Sequence, residues 1–177
     1  DCIKHPPIYE KGWSVFIYEG MVKDAIYRFK YGGHQEYAKY FGILMAEKIK
    51  QQISKEDFDL LIPIPIHPKR KKTRGYNQAE ELAKVISKDL NISIDSSILI
   101  RAKETKPQSG LSLIQRQNNM RSAFKVKDNI NIRQMKILLV DDIYTTGSTI
   151  QWCTHLLKEK GAGQVCFISL SIGQGMN

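Results

Sequence analysis

Residues 137–149 read Ile-Leu-Leu-Val-Asp-Asp-Ile-Tyr-Thr-Thr-Gly-Ser-Thr: an uncharged apolar run stops at two adjacent acids and passes into a Thr/Gly/Ser turn. Four successive apolar residues, Ile137 to Val140, need cover on both faces, which is the pattern of a buried parallel strand. After the turn, Ile150, Cys153, Leu156 and Leu157 fall on one helical stripe, and Gly161 is placed to end it. A strand handed through such a turn to a helix N-terminus forms a phosphate-binding loop. Gly147 lets the chain turn sharply. Backbone N–H groups from Tyr144 to Thr149 can then converge on the anion, beside the hydroxyls of Thr145, Thr146, Ser148 and Thr149 and the positive end of the helix dipole. Asp141 and Asp142 are expected where the strand ends, in the crevice at the carboxyl edge of the sheet. Ionised carboxylates accept only, so the pair suits two adjacent hydroxyls of a ribose. No Gly-Lys-Ser/Thr follows the strand and the dinucleotide glycine spacing is missing, which excludes those two nucleotide folds.

Working outward, the chain alternates strands and helices. Trp13 to Tyr18 predicts a short strand, Met21 to Tyr31 a helix broken at Gly32-Gly33, and Tyr37 to Ile49 an amphipathic helix. Phe58 to Ile66 predicts a strand running into a basic loop, Tyr76 to Asp89 a helix, Ser97 to Arg101 a strand, and Gln164 to Ile172 the last strand. Such alternation implies a parallel sheet flanked by helices.

The 177 residues are enough for one α/β domain with a small appendage. No apolar stretch approaches the ~18 residues that span a membrane, and no signal-peptide pattern opens the chain, so a cytoplasmic location is expected. Three cysteines, Cys2, Cys153 and Cys166, offer no disulfide framework, and the last two sit in apolar surroundings as core thiols. The formal charge is +9. Lys69, Arg70, Lys71, Lys72 and Arg74 lie between Leu60 and Ala79 with no acid, and seven basic residues face only Glu104 between Leu99 and Lys127. Two basic stretches beside a phosphate loop point to a polyanionic ligand: pyrophosphate, nucleic acid or both.

The 137–149 segment resembles the phosphoribosyl-pyrophosphate (PRPP) loop of type I phosphoribosyltransferases. Further stretches resemble the ComF family, competence-associated proteins of that type: Phe29-Lys30-Tyr31-Gly32, Ile62 to Arg70, Arg74-Gly75-Tyr76-Asn77-Gln78-Ala79 and Thr105-Lys106-Pro107-Gln108. The resemblance implies a type I phosphoribosyltransferase-like parallel sheet flanked by helices, with a small N-terminal hood. Residues 1–20 would be a linker or hood, and 21–177 the phosphoribosyltransferase-like domain.

By the same resemblance, Asp141 and Asp142 would be the catalytic acids, and Tyr144, Thr145, Thr146, Gly147, Ser148 and Thr149 would hold the 5′-phosphate. Lys69, Arg70 and Arg74 would meet the pyrophosphate, where charge builds as the ribose becomes oxocarbenium-like. Residues 101–121 would form a flexible loop closing over the site, with Arg101 and Lys106 reaching phosphate. Mg²⁺ would accompany PRPP, keeping mostly water and ligand oxygens in its shell. Trp13, Phe16 and Tyr18 would either stack on a base or fill a core, the simpler use. Family members commonly open with a four-cysteine zinc ribbon. Cys2 resembles its last ligand, one thiol makes no tetrahedral site, and the absent initial Met fits a missing upstream piece. No metal ribbon is expected in these residues, and zinc only where that piece is present. Two functions follow from the resemblance: a PRPP-binding competence factor contacting single-stranded DNA and competence-machinery proteins, or a transferase moving phosphoribose to an unidentified base or amine.

Overall fold

The computed structural model describes residues 7–52, 58–102 and 123–173. Cys2, Lys106 and the segment Thr105 to Gln108 lie outside the described residues.

Strands β1 (Gly12–Ile17), β2 (Leu60–Pro63), β3 (Ser93–Ile94), β6 (Lys136–Tyr144) and β7 (Gln164–Ile172) form one sheet in the order β1-β7-β6-β2-β3. Every pairing in it is parallel. A separate antiparallel ribbon joins β4 (Leu99–Arg101) to β5 (Phe124–Val126). Among the described residues the helices are α1 (Gly20–Tyr31), α2 (Tyr37–Lys50), α3 (Pro68–Arg74), α4 (Gln78–Leu90) and α5 (Ser148–Glu159).

The period of two along β6 divides the core into two layers. Leu138 and Val140 join Ile26, Phe29, Met45, Ile49, Leu82 and Ile86, so α1, α2 and α4 cover one face. Ile137 and Leu139 join Ile150, Cys153, Leu157, Leu99 and Phe124, so α5 and the ribbon cover the other. Both faces of β6 are therefore dry, as its unbroken apolar run requires. Helices α2 and α4 meet closely at Gly42, where an added Cβ would lie 2.5 Å from Val85 Cβ. That contact is invisible in the periodicity of either helix.

Three expectations change. Strand β6 does not stop at Val140 but runs through both acids to Tyr144, because β7 extends alongside it and Asp141, Ile143 and Tyr144 pair with Ser169, Ser171 and Ile172. The basic stretch after Ile66 is a short helix rather than a loop. Pro68 stands in its first turn, the His67 side chain accepts from Lys69 N–H at 3.3 Å, and Gly75 ends it at φ 86°. The strand assigned to the N-terminal linker or hood is the edge strand β1 of the main sheet, with Trp13, Phe16 and Tyr18 packed against its core. Cys153 and Cys166 are buried free thiols, and burial first of all raises the pKa of each.

Candidate functional site

All strands of a parallel sheet end on one edge, and there the connections into α1, α3 and α5 assemble. Successive residues of a strand face opposite ways. Asp142 therefore turns to the α1 layer, where its Oδ1 lies 2.9 Å from Lys30 Nζ, both side chains about one-seventh exposed (14% and 16%). Asp141 turns to the other layer, where Arg101 of β4 acts on it and it acts in turn on Cys153 of α5. The acids thus stand one on each face of β6, not as a side-by-side pair. Nor do they sit in the open: burial, and then the neighbouring Asp142 charge, push Asp141 up to about 7. The Asp142 N–H donates to Asp141 Oδ1 at 2.8 Å, and with Lys30 and Arg101 it opposes that rise.

Lys30 also lines a cleft of about 730 Å³ with Tyr31, Gly33, Lys69, Arg70, Thr73 and Arg74. Four of these seven residues are cationic and none is acidic. The three sequence-predicted pyrophosphate residues, Lys69, Arg70 and Arg74, are thereby brought together. Lys71 is not: it pairs with Glu80 of α4 at 3.1 Å. Arg74 is held from two sides, donating to Tyr31 Oη at 2.8 Å and to Gln78 Oε1 at 3.2 Å. The adjacent Arg-Gly-Tyr-Asn-Gln residues serve this wall. Tyr76 Oη and Gln78 Nε2 donate to the Phe29 carbonyl, and Asn77 Nδ2 donates to the Ile64 carbonyl at 3.0 Å. In the sequence Lys30 stands out only as part of the Phe29-Lys30-Tyr31-Gly32 resemblance. A lysine next to buried Phe29 carries no local mark of the strand it reaches.

The loop after β6 has the anticipated turn. Gly147 is buried at φ 72° and, lacking a side chain, makes no cap bond at the start of α5. Thr145 and Thr146 are exposed, Ser148 and Thr149 half-buried, and Thr146 Oγ1 lies 3.0 Å from Ser148 Oγ. Tyr144 differs. Its ring stacks on Phe167 at 4.7 Å and its hydroxyl meets Tyr9 Oη at 2.9 Å, so its side chain braces the loop from within. Arg101 differs as well: it belongs to β4, with its guanidinium 5.1 Å from the Phe124 ring centroid. Burial lowers its pKa, and Arg70 adds to that effect.

The family model for the phosphoribosyl transferase domain matches residues 43–171. The chain is also 30% identical over 169 residues to competence protein F of Haemophilus influenzae, covering 93% of this chain and 74% of that protein. This chain belongs to the phosphoribosyltransferase domain family, in its ComF branch. Competence protein ComFC of Streptococcus pneumoniae is 32% identical over 157 residues, 89% of this chain and 66% of that protein. The DNA utilization protein YhgH of Escherichia coli is 28% identical over 167 residues, 93% of this chain and 73% of that protein. The ComF assignment thus agrees with the parallel sheet flanked by helices.

Among the described residues, no group of three or more His, Cys, Asp or Glu side chains is placed to hold a metal ion, and no helix is long and apolar enough to cross a membrane. The donor set suits Mg²⁺ that arrives with a phosphorylated ligand, because that ion keeps waters and phosphate oxygens and needs only one or two carboxylates. Asp142, which reaches the cleft only through Lys30, is the carboxylate that would hold it.

Proposed function

We propose that this ComF-family protein binds PRPP with Mg²⁺ and serves in the handling of incoming DNA, with contact to single strands. The observation that carries the PRPP reading is the four-cation cleft joined through Lys30 to Asp142 at the carboxyl edge of the sheet. In this reading Lys69, Arg70 and Arg74 take the pyrophosphate, and the Gly147 turn with the α5 N-terminus takes the 5′-phosphate. Asp142 accepts from a ribose hydroxyl. Asp141, behind it, holds the loop through the Asp142 N–H. Asp142 would be the carboxylate that holds Mg²⁺, and the ion would supply positive charge offsetting that of the diphosphate.

The DNA-linked role rests on the relatives, which are named competence and DNA utilization proteins, and on a charge of +9. Competence-machinery proteins are the corresponding partners, and a cytoplasmic setting, where PRPP is at hand, fits both ligands. One feature favours a second reading, transfer of phosphoribose to a base or amine. Asp141, with a pKa near 7, is a carboxyl group able to hold or give up a proton at neutral pH.

A calorimetric titration with PRPP, with and without Mg²⁺, tests the first reading. Saturable binding that Asp142→Asn weakens supports it, and heats indifferent to that change remove it. Pyrophosphate release across a panel of bases and amines decides whether transfer occurs.

A further inference from the structure

Beside the cationic cleft stand two aromatic rings exposed to solvent. Tyr27 and Tyr31 are 62% and 60% exposed, and their ring centroids lie 5.0 Å apart. They are four residues apart on α1, with exposed Lys23 one turn earlier, so the three share a helix face. Tyr31 is also part of the cleft wall. Its ring is fixed there by Arg74, whose guanidinium lies 4.6 Å from the ring centroid while Nη2 donates to the hydroxyl.

Two adjacent rings facing water, continuous with four cations and no lining acid, match one kind of occupant: a chain of phosphates carrying planar, stackable groups. An apolar peptide or a second copy of this basic chain would satisfy the rings but would leave the cations facing nothing of opposite charge.

We propose that Tyr27 and Tyr31 form a base-stacking platform at the lip of the cleft. Single-stranded DNA would lay consecutive bases on it while its phosphates run between Lys69, Arg70 and Arg74. The platform rests on the single-strand contact advanced above and assigns that contact its aromatic half. PRPP and the strand then share the phosphate half, so PRPP displaces the backbone but not the stacking groups.

The test uses fluorescence anisotropy with a fluorescein-labelled oligothymidylate of about a dozen nucleotides, within the usual site sizes, and a strand of equal length made of abasic units. The intact chain should prefer the base-bearing strand by roughly tenfold. Tyr27→Leu and Tyr31→Leu should each remove most of that preference, Tyr27→Phe and Tyr31→Phe should keep it, and Tyr27→Leu should leave PRPP affinity unchanged by calorimetry. The platform is overturned if both leucine variants keep the preference, or if they lose affinity for both strands equally. A leucine variant that turns a dimer into a monomer in sedimentation would also overturn it, since the rings would then serve self-association. If no strand of either kind binds, the single-strand reading fails and the platform with it. Base-independent binding by the intact chain removes the platform alone.

Discussion

Lys30 Nζ sits 2.9 Å from Asp142 Oδ1, tying the last turn of α1 to the far end of β6. Lys30 thus pairs with the Asp142 carboxylate and also forms part of the wall of the cationic cleft. Under the proposed PRPP reading, the diphosphate draws Lys30 toward the cleft and releases Asp142 for a ribose hydroxyl. Lys30→Met should lower stability by about 1.5–3 kcal/mol, the usual worth of a hydrogen bond between charged groups. It should also weaken PRPP binding by roughly tenfold or more by the same measure. The double variant with Asp142→Asn should recover part of the stability, because no lone buried charge remains, but none of the PRPP affinity. Urea midpoints and calorimetry read the two effects separately. A stability loss with unchanged PRPP affinity would make Lys30 a structural tie only.

Asp141 makes stability depend on pH in an unusual direction. Its folded pKa, about 7, lies above its ordinary value of 3.8, so between those values the folded chain binds more protons than the unfolded one. Stability contributed by this group is fully present below about 3.8, falls as pH rises toward 7, and is level above it. Asp141→Asn removes the titration while keeping an acceptor for the Asp142 N–H. The variant should therefore gain on the parent at pH 8 and lose that gain at pH 4.5 in urea unfolding. Parallel pH profiles for the two proteins would mean that Asp141 ionises freely in the folded chain.

Gly147 is constrained by its own chain as much as by a ligand. Its φ of 72° disfavours any side chain, and a Cβ there would lie 2.4 Å from Tyr144 Oη. Gly147→Ala should cost at least ~1–2 kcal/mol for the left-handed backbone, with a further loss from displacing Tyr144 off Phe167. In a Tyr144→Phe background the cost should shrink, since the nearest atom is gone. Chemical denaturation of the four proteins in that cycle checks the coupling, and strict additivity would disprove the contact. Thr146→Ala, at an exposed hydroxyl, should be milder on phosphate binding because most donors in the loop are backbone groups.

The basic run on α3 is divided by the fold. Lys69 and Arg70 line the cleft, whereas Lys71 is held by Glu80. Reversing Lys69 and Arg70 to Glu should flatten the salt dependence of single-strand binding by about 1.4 in log K per log salt, two contacts at roughly 0.7 each. Lys71→Glu should leave the slope almost untouched. Equal flattening by both would return the run to a single undivided patch.

What the chain declared locally was read correctly from it. The apolar run Ile137 to Val140, the glycine turn and the stripe of α5 are periodic features of neighbouring residues, and local sterics and burial suffice to specify them. His67-Pro68 and Gly75 were start and stop signals too, yet the charge between them masked a helix as a loop. Tertiary structure decided the rest. Strand β6 extends through its acids only because β7 supplies partners for them, and the alternation along it then sends Asp141 and Asp142 to opposite layers. Lys30, Tyr31, Lys69, Arg70 and Arg74 share a cleft only because the last turn of α1 meets α3 beside the carboxyl edge of the sheet. Contacts between residues far apart in the chain leave no period in a single sequence. They are set by which faces must be buried together, and that depends on the whole packed molecule.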